Sequence, residues 1–126
     1  MSKPYPMPRN LLISDEITSG TVKGIIDKIM DINYDDDLKE EDFKNWEREP
    51  IYLFINTNGG STYSAWALYD IIRQSKTPVY TVALGYCMSA GLQIFMAGEK
   101  RLVSEHATLM FHDVSTWVIG KTEELK

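Results

Sequence analysis

The apolar positions of this chain change period along its length. Two continuous apolar runs, IYLFI at 51–55 and VYTVAL at 79–84, read as buried strands. Between them Ala65, Leu68, Tyr69 and Ile72 share one helical face. That helix should stop before Thr77-Pro78, because proline disfavours helical backbone in the residue preceding it. Upstream, LLIS at 11–14 reads as a short strand, and Val22, Ile25, Ile26, Ile29 and Met30 predict a buried helical face capped by Thr18 or Ser19. Downstream, GYCMSAGLQIFMAG at 85–98 supplies a glycine break, a short apolar helix and a closing glycine. KRLVS and ATLMFH then read as two further short strands. The pattern fails from Asn33 to Pro50, where YDDDLKEEDFKNWEREP predicts a solvated loop or surface turn. The Pro-rich residues 1–9 read as an N-terminal arm.

Strands alternating with helices predict an α/β fold with parallel crossovers, and in such sheets sites gather at the carboxyl ends of strands. NTNGG, GYCMS and FHD each follow an apolar strand, so three loops should converge on one crevice. A length of 126 residues implies one domain. The net charge of -5, with scattered Lys and Arg, gives no footprint for nucleic acid. With no apolar stretch near the ~20 residues that span a bilayer, and no signal-peptide core, the expectation is a cytoplasmic protein without membrane contact. The DDD run lacks the alternating ligands, glycine and distant glutamate of a calcium loop. The lone Cys87 offers neither a disulfide nor a zinc site and reads as a packing residue. Neither metal nor cofactor is expected.

Ser89 is the residue around which a reaction could be built. A serine hydroxyl needs a base in hydrogen-bond reach and donors aimed at the oxyanion that forms. His112 ends an apolar strand, whereas His106 in SEHAT reads as a surface loop residue. Gly59 and Gly60 let a backbone N–H approach a substrate carbonyl without an intervening side chain. Taken singly, each piece has a plainer reading: close packing for Ser89, a turn for the glycines, a structural role for His112. Their joint placement at strand ends favours chemistry.

The stretch IYLFINTNGGSTYSAWALYDIIRQSKTPVYTVALGYCMSAGLQIFMAGEKR, continuing into ATLMFHD, resembles the proteolytic subunit of the Clp protease. The corresponding pieces are Asn56 to Gly60, Tyr69-Asp70, Gly85 to Gly91 and Met110 to His112, with Ser89 and His112 23 positions apart. The resemblance implies a ClpP/crotonase-like spiral of strand-strand-helix units. It implies Ser89 as nucleophile, His112 as general base, and the N–H groups of Gly59 and Ala90 as oxyanion hole. It also implies that Gly59, Gly60 and Ser61 on one side, and Val114, Ser115, Thr116 and Trp117 on the other, flank an extended peptide by main-chain pairing. The partners it implies are unfolded polypeptide substrates, a Clp-type ATPase chaperone and copies of the same chain in a homo-oligomeric ring.

The chain departs from that pattern in places. Asn58 stands where the family usually has proline, and Asp113 and Val114 follow His112 in place of glutamine and proline. STWVIG replaces a glycine-rich stretch. The family's third triad member is an aspartate well beyond the base, and it has no counterpart before Lys126. Asp113 is adjacent to His112 and Asp70 lies on a helix, so neither is assigned that role. KTEELK reads as the first turns of a helix cut short, where the family has its handle helix, and this favours a piece of a longer subunit over a naturally short relative. Loss of the orienting aspartate would cost on the order of 10⁴ in turnover. Two other classes compete with the peptidase: a noncatalytic ring subunit and a crotonase-type acyl-coenzyme A enzyme. A phage head-maturation protease is a narrower form of the first reading.

Overall fold

Three strands and the helices between them follow from where apolar side chains can be buried together. In the computed structural model, residues 8–111 are described. Strand β1 (Asn10–Ile13) leads into helix α1 (Ser19–Asp42), β2 (Ile51–Thr57), α2 (Thr62–Gln74), β3 (Val79–Met88), α3 (Ala90–Phe95), β4 (Lys100–Val103) and β5 (Thr108–Met110). The parallel order is β1-β2-β3-β4, with β5 pairing the far end of β3. Successive parallel neighbours joined by right-handed crossovers carry their helices on one face of the sheet.

That face holds the core. Ile51, Leu53 and Ile55 of β2 are buried, as are Leu11 and Ile13 of β1 and Val79 and Ala83 of β3. Against them pack Val22, Ile25, Ile29 and Ile32 of α1, and Ala65, Leu68 and Ile72 of α2. Each such aliphatic side chain contributes about 1.5–3 kcal/mol when fully buried. The opposite face carries in-register rows, Leu12-Phe54-Val82-Leu102 and Asn10-Tyr52-Tyr80-Lys100. Tyr52 and Tyr80 meet edge-on there at 5.4 Å. No described helix covers this face, and Leu12 and Leu102 are 57% and 45% exposed.

The structure corrects expectations in two regions, α1 with its surroundings and the end of β3. The charged segment after Asn33 is helix as far as Asp42, where α1 ends, and loop only from Phe43 to Pro50. The buried positions run Val22, Ile25, Ile29, Ile32, Asp36, so the helical stripe simply passes to an aspartate. Asp36 fits because Arg9 grips it through two hydrogen bonds, at 2.6 and 3.0 Å, and the Thr77 hydroxyl donates to it at 2.7 Å. Arg9, expected in the arm, is thereby anchored to the body, and its C=O accepts from Tyr52 N–H. Met30, expected on the buried face, lies off this stripe and is exposed. Arg48 closes the cluster, donating to Glu40, Thr77 and Asp37.

The second correction concerns Gly85, which does not break the strand: β3 runs on to Met88. Between the pairs Ile55↔Ala83 and Thr57↔Cys87, two steps along β2 match four along β3, so β3 bulges there. Gly85 takes φ +36°, and a Cβ on it would lie 2.6 Å from Asn56 Oδ1. That oxygen accepts the Tyr86 N–H at 3.0 Å, doing with a side chain what the ladder cannot do at the bulge.

Two outcomes follow. Asp36→Ala, which strands the Arg9 guanidinium, should cost about 3 kcal/mol in urea unfolding, while Asp70→Ala on the exposed face of α2 should stay within about 0.5 kcal/mol. A loss below about 1 kcal/mol for Asp36→Ala would show the cluster to be incidental. Cys87 is fully buried, and burial pushes its thiol up to about 12. It should therefore remain protonated and resist iodoacetamide at about pH 8 until the protein is unfolded; rapid native alkylation would contradict the packing.

Candidate active site

The carboxyl ends of β1, β2 and β3 deliver three short segments to one place: Ser14 to Ile17, Asn56 to Ser61, and Tyr86 to Gly91. Their meeting begins with Ser89. Ser89 lies between β3 and α3 with φ 53° and ψ -118°, the only positive φ at a non-glycine among the described residues. Such a backbone costs about 1–3 kcal/mol and persists only where its surroundings over-determine it. Here the Ser89 N–H donates to the Met110 carbonyl of β5 at 2.8 Å, and its carbonyl accepts the Gln93 N–H at 3.1 Å. The turn is the sharp strand-to-helix elbow on which a serine hydroxyl is presented rather than folded back. The Ser89 side chain is half-buried and makes no capping bond to α3.

Ala90 is the first residue of α3, where a backbone N–H has no acceptor within the helix. Gly91 follows in close contact with Thr57: a Cβ on Gly91 would lie 2.5 Å from Thr57 Cγ2.

The glycine turn rests directly on the elbow. Gly59 has φ +119°, and a Cβ there would lie 2.9 Å from Ser89 Cβ and 3.3 Å from Ser89 Oγ. Gly60 lies as close to Ile17, since a Cβ would approach its carbonyl oxygen to 2.3 Å. Ile17 N–H donates to Gly59 O, and Ser61 N–H donates to Ile17 O, both at 2.8 Å. This bridge leaves the N–H and C=O of Gly60 unused by it. Ser61 also caps α2, accepting from Ser64 N–H at 3.1 Å. The Gly59 N–H donates to the Thr57 hydroxyl oxygen at 3.1 Å.

Of the residues expected from the sequence, Ser89, Ala90, Gly59, Gly60 and Ser61 are thus neighbours at this edge. His112 and Val114 to Trp117 lie outside the described residues, as does Asp113; the described chain ends at Phe111, next to the Met110 carbonyl that holds Ser89. His106 sits exposed in the turn between β4 and β5. Beside the glycine turn opens a cavity of about 510 Å³, lined by Asp15, Glu16, Asn56, Asn58 and Tyr86 among others. Ser89 is not in its lining, so the cavity flanks the elbow rather than containing it. Among the described residues no three His, Cys, Asp or Glu side chains cluster to hold a metal, and no helix is long and apolar enough to cross a membrane.

Sequence reasoning found the serine and the glycines but passed over Thr57 and Asp15. The sequence placed Thr57 in the turn NTNGG after the strand at 51–55; its bond to Asp15, 42 positions away, has no local signal.

Comparison with known proteins agrees with this geometry. The Clp protease family matches residues 8–126. The ATP-dependent Clp protease proteolytic subunit of Deinococcus radiodurans is 38% identical over 87 residues, covering 68% of this chain and 42% of that protein. The subunit of that name from Epifagus virginiana is 31% identical over 114 residues, covering 89% of this chain and 53% of its own. The chain therefore spans about half the length of the curated relatives it matches. Among solved structures, ClpP1 from Listeria monocytogenes superposes with a TM-score of 0.71 at 25% identity, over 83% of this chain and 56% of that one. The ClpP protease catalytic domain from Plasmodium falciparum gives 0.68 at 24% identity, over 93% and 61%, a likeness of fold. By its sequence and its parallel α/β fold, the chain belongs to the Clp protease family.

Proposed function

We propose that the protein carrying this chain is a serine endopeptidase of the Clp type, with Ser89 as its nucleophile. The observation that carries the reading is the strained elbow at Ser89, pressed against Gly59 at the carboxyl end of the sheet. In this reading Ser89 Oγ attacks the scissile carbonyl while His112 takes its proton. The carbonyl oxygen becomes an oxyanion, held by the N–H groups of Ala90 and Gly59. The intermediate collapses to an acyl-enzyme, with the leaving amine taking the proton back from His112. Water, deprotonated by the same histidine, then releases the acid and restores Ser89.

The substrate is an extended, unfolded polypeptide lying between Gly59, Gly60 and Ser61 on one side and Val114, Ser115, Thr116 and Trp117 on the other. The unused N–H and C=O of Gly60 support main-chain pairing of this kind, which gives affinity with little side-chain selectivity. No residue of this chain is assigned the role of orienting His112. In this reading the chain forms a single ClpP-like domain. The exposed Leu12 and Leu102, in one row with the half-buried Phe54, support an assembled state in which that sheet face is covered. The assembly is a homo-oligomeric ring served by a Clp-type ATPase in the cytoplasm.

A peptidyl phosphonate tests the reading. In the protein expressed from its whole coding sequence, it should add one adduct, mapped by mass spectrometry to the Ser89 peptide and absent in Ser89→Ala. Absence of label on a ring shown to be intact would sink the peptidase and leave a noncatalytic subunit.

A further inference from the structure

Thr57 is almost fully buried, and each of its side-chain atoms beyond Cβ meets a different part of the site. Its hydroxyl donates to the Asp15 carbonyl at 2.7 Å and accepts the Gly59 N–H at 3.1 Å. A hydroxyl has a single proton, so donation to Asp15 leaves only lone pairs for Gly59. Its methyl group faces Gly91, where an added Cβ would come within 2.5 Å. Across the sheet it pairs with Cys87, two residues before Ser89. A β-branched side chain is stiff about χ1, so fixing the hydroxyl on Asp15 also fixes the methyl on α3.

We propose that Thr57 is a positioning residue, tying the glycine turn to the start of α3 and so setting the gap between Gly59 and Ser89. The inference rests on the peptidase reading and deepens it. Thr57 does not touch Ser89; it acts through Gly59 and Gly91. The Gly59 N–H rests on a neutral oxygen. An anionic oxygen is a stronger acceptor than a neutral hydroxyl, and one N–H can be shared between two acceptors. The donor is therefore drawn to the substrate oxygen as charge develops there, more than to the uncharged carbonyl. Its contribution falls on the transition state rather than on ground-state binding.

Thr57→Val keeps the shape and removes the hydroxyl, while Thr57→Ser keeps the hydroxyl. In the protein expressed from its whole coding sequence, the maximal rate of phosphonate labelling should fall about tenfold in Thr57→Val, with the half-saturating concentration within about twofold of wild type. Thr57→Ser keeps the hydrogen bonds to Asp15 and Gly59 but gives up the methyl on Gly91, so its rate should lie between those of wild type and Thr57→Val, within about threefold of wild type. Hydrogen exchange followed by mass spectrometry supplies a readout independent of chemistry: the peptide containing Gly59 should exchange faster in Thr57→Val than in Thr57→Ser. Equal maximal rates for wild type and Thr57→Val would overturn the proposal. So would equal slowing in both variants, a change confined to half-saturation, or unaltered exchange at Gly59. If the wild type takes no label, the peptidase reading fails and this inference fails with it.

Discussion

Backbone against backbone, with no side chain between, is the contact on which this site depends. A Cβ at position 59 would sit 2.9 Å from that of Ser89, inside the distance that real Cβ atoms keep. Only glycine lets the turn lie on the elbow, and only a turn that close can offer a main-chain N–H to a group bonded to Ser89. The same requirement recurs where Gly60 meets the Ile17 backbone, while Gly91 makes room for the Thr57 methyl. These approaches leave little freedom: moving any one segment opens a gap or creates a clash in another. The positive φ of Ser89 is held by that crowding, by the Met110 carbonyl and by α3 behind it.

The sheet supplies the rigidity. β2 is buried on its helical face from Ile51 to Thr57 and pairs with strands on both sides, so its carboxyl end is a fixed reference for the glycine turn. At the opposite end, Asp36 joins the start of β1 through Arg9 to the corner before β3 through Thr77. That cluster contributes orientation: it fixes where β1 and β3, the two neighbours of β2, begin, and hence where they end. Asn56 does comparable work near the site by completing the hydrogen bonding at the Gly85 bulge, which directs Tyr86 to Met88 toward β5 and the elbow.

The legible parts of the fold were those governed by local period and punctuation. The runs at 51–55 and 79–84, the face of α2 and its stop before Thr77-Pro78 all appear in the structure, because each is set by residues near in sequence. Ser89 and the glycine pair were legible as a constellation at strand ends. The missed features share one cause, a distant partner that changes what a residue can do. Asp36 reads as a surface charge until Arg9, 27 positions away, makes it a core residue. Gly85 reads as a break until Asn56, accepting from Tyr86 N–H 30 positions along the chain, carries the strand past it. Thr57 reads as part of a turn until Asp15 and Gly91 meet it at the end of β2.

The most direct test of the account is a crystal structure of the protein, expressed from its whole coding sequence, after reaction with a peptidyl phosphonate. The account predicts phosphorus bonded to Ser89 Oγ, with the phosphonyl oxygen in hydrogen-bond reach of the Ala90 and Gly59 N–H groups and Ser89 still at positive φ. An adduct on another residue, or on Ser89 with its oxygen turned away from both groups, would contradict it.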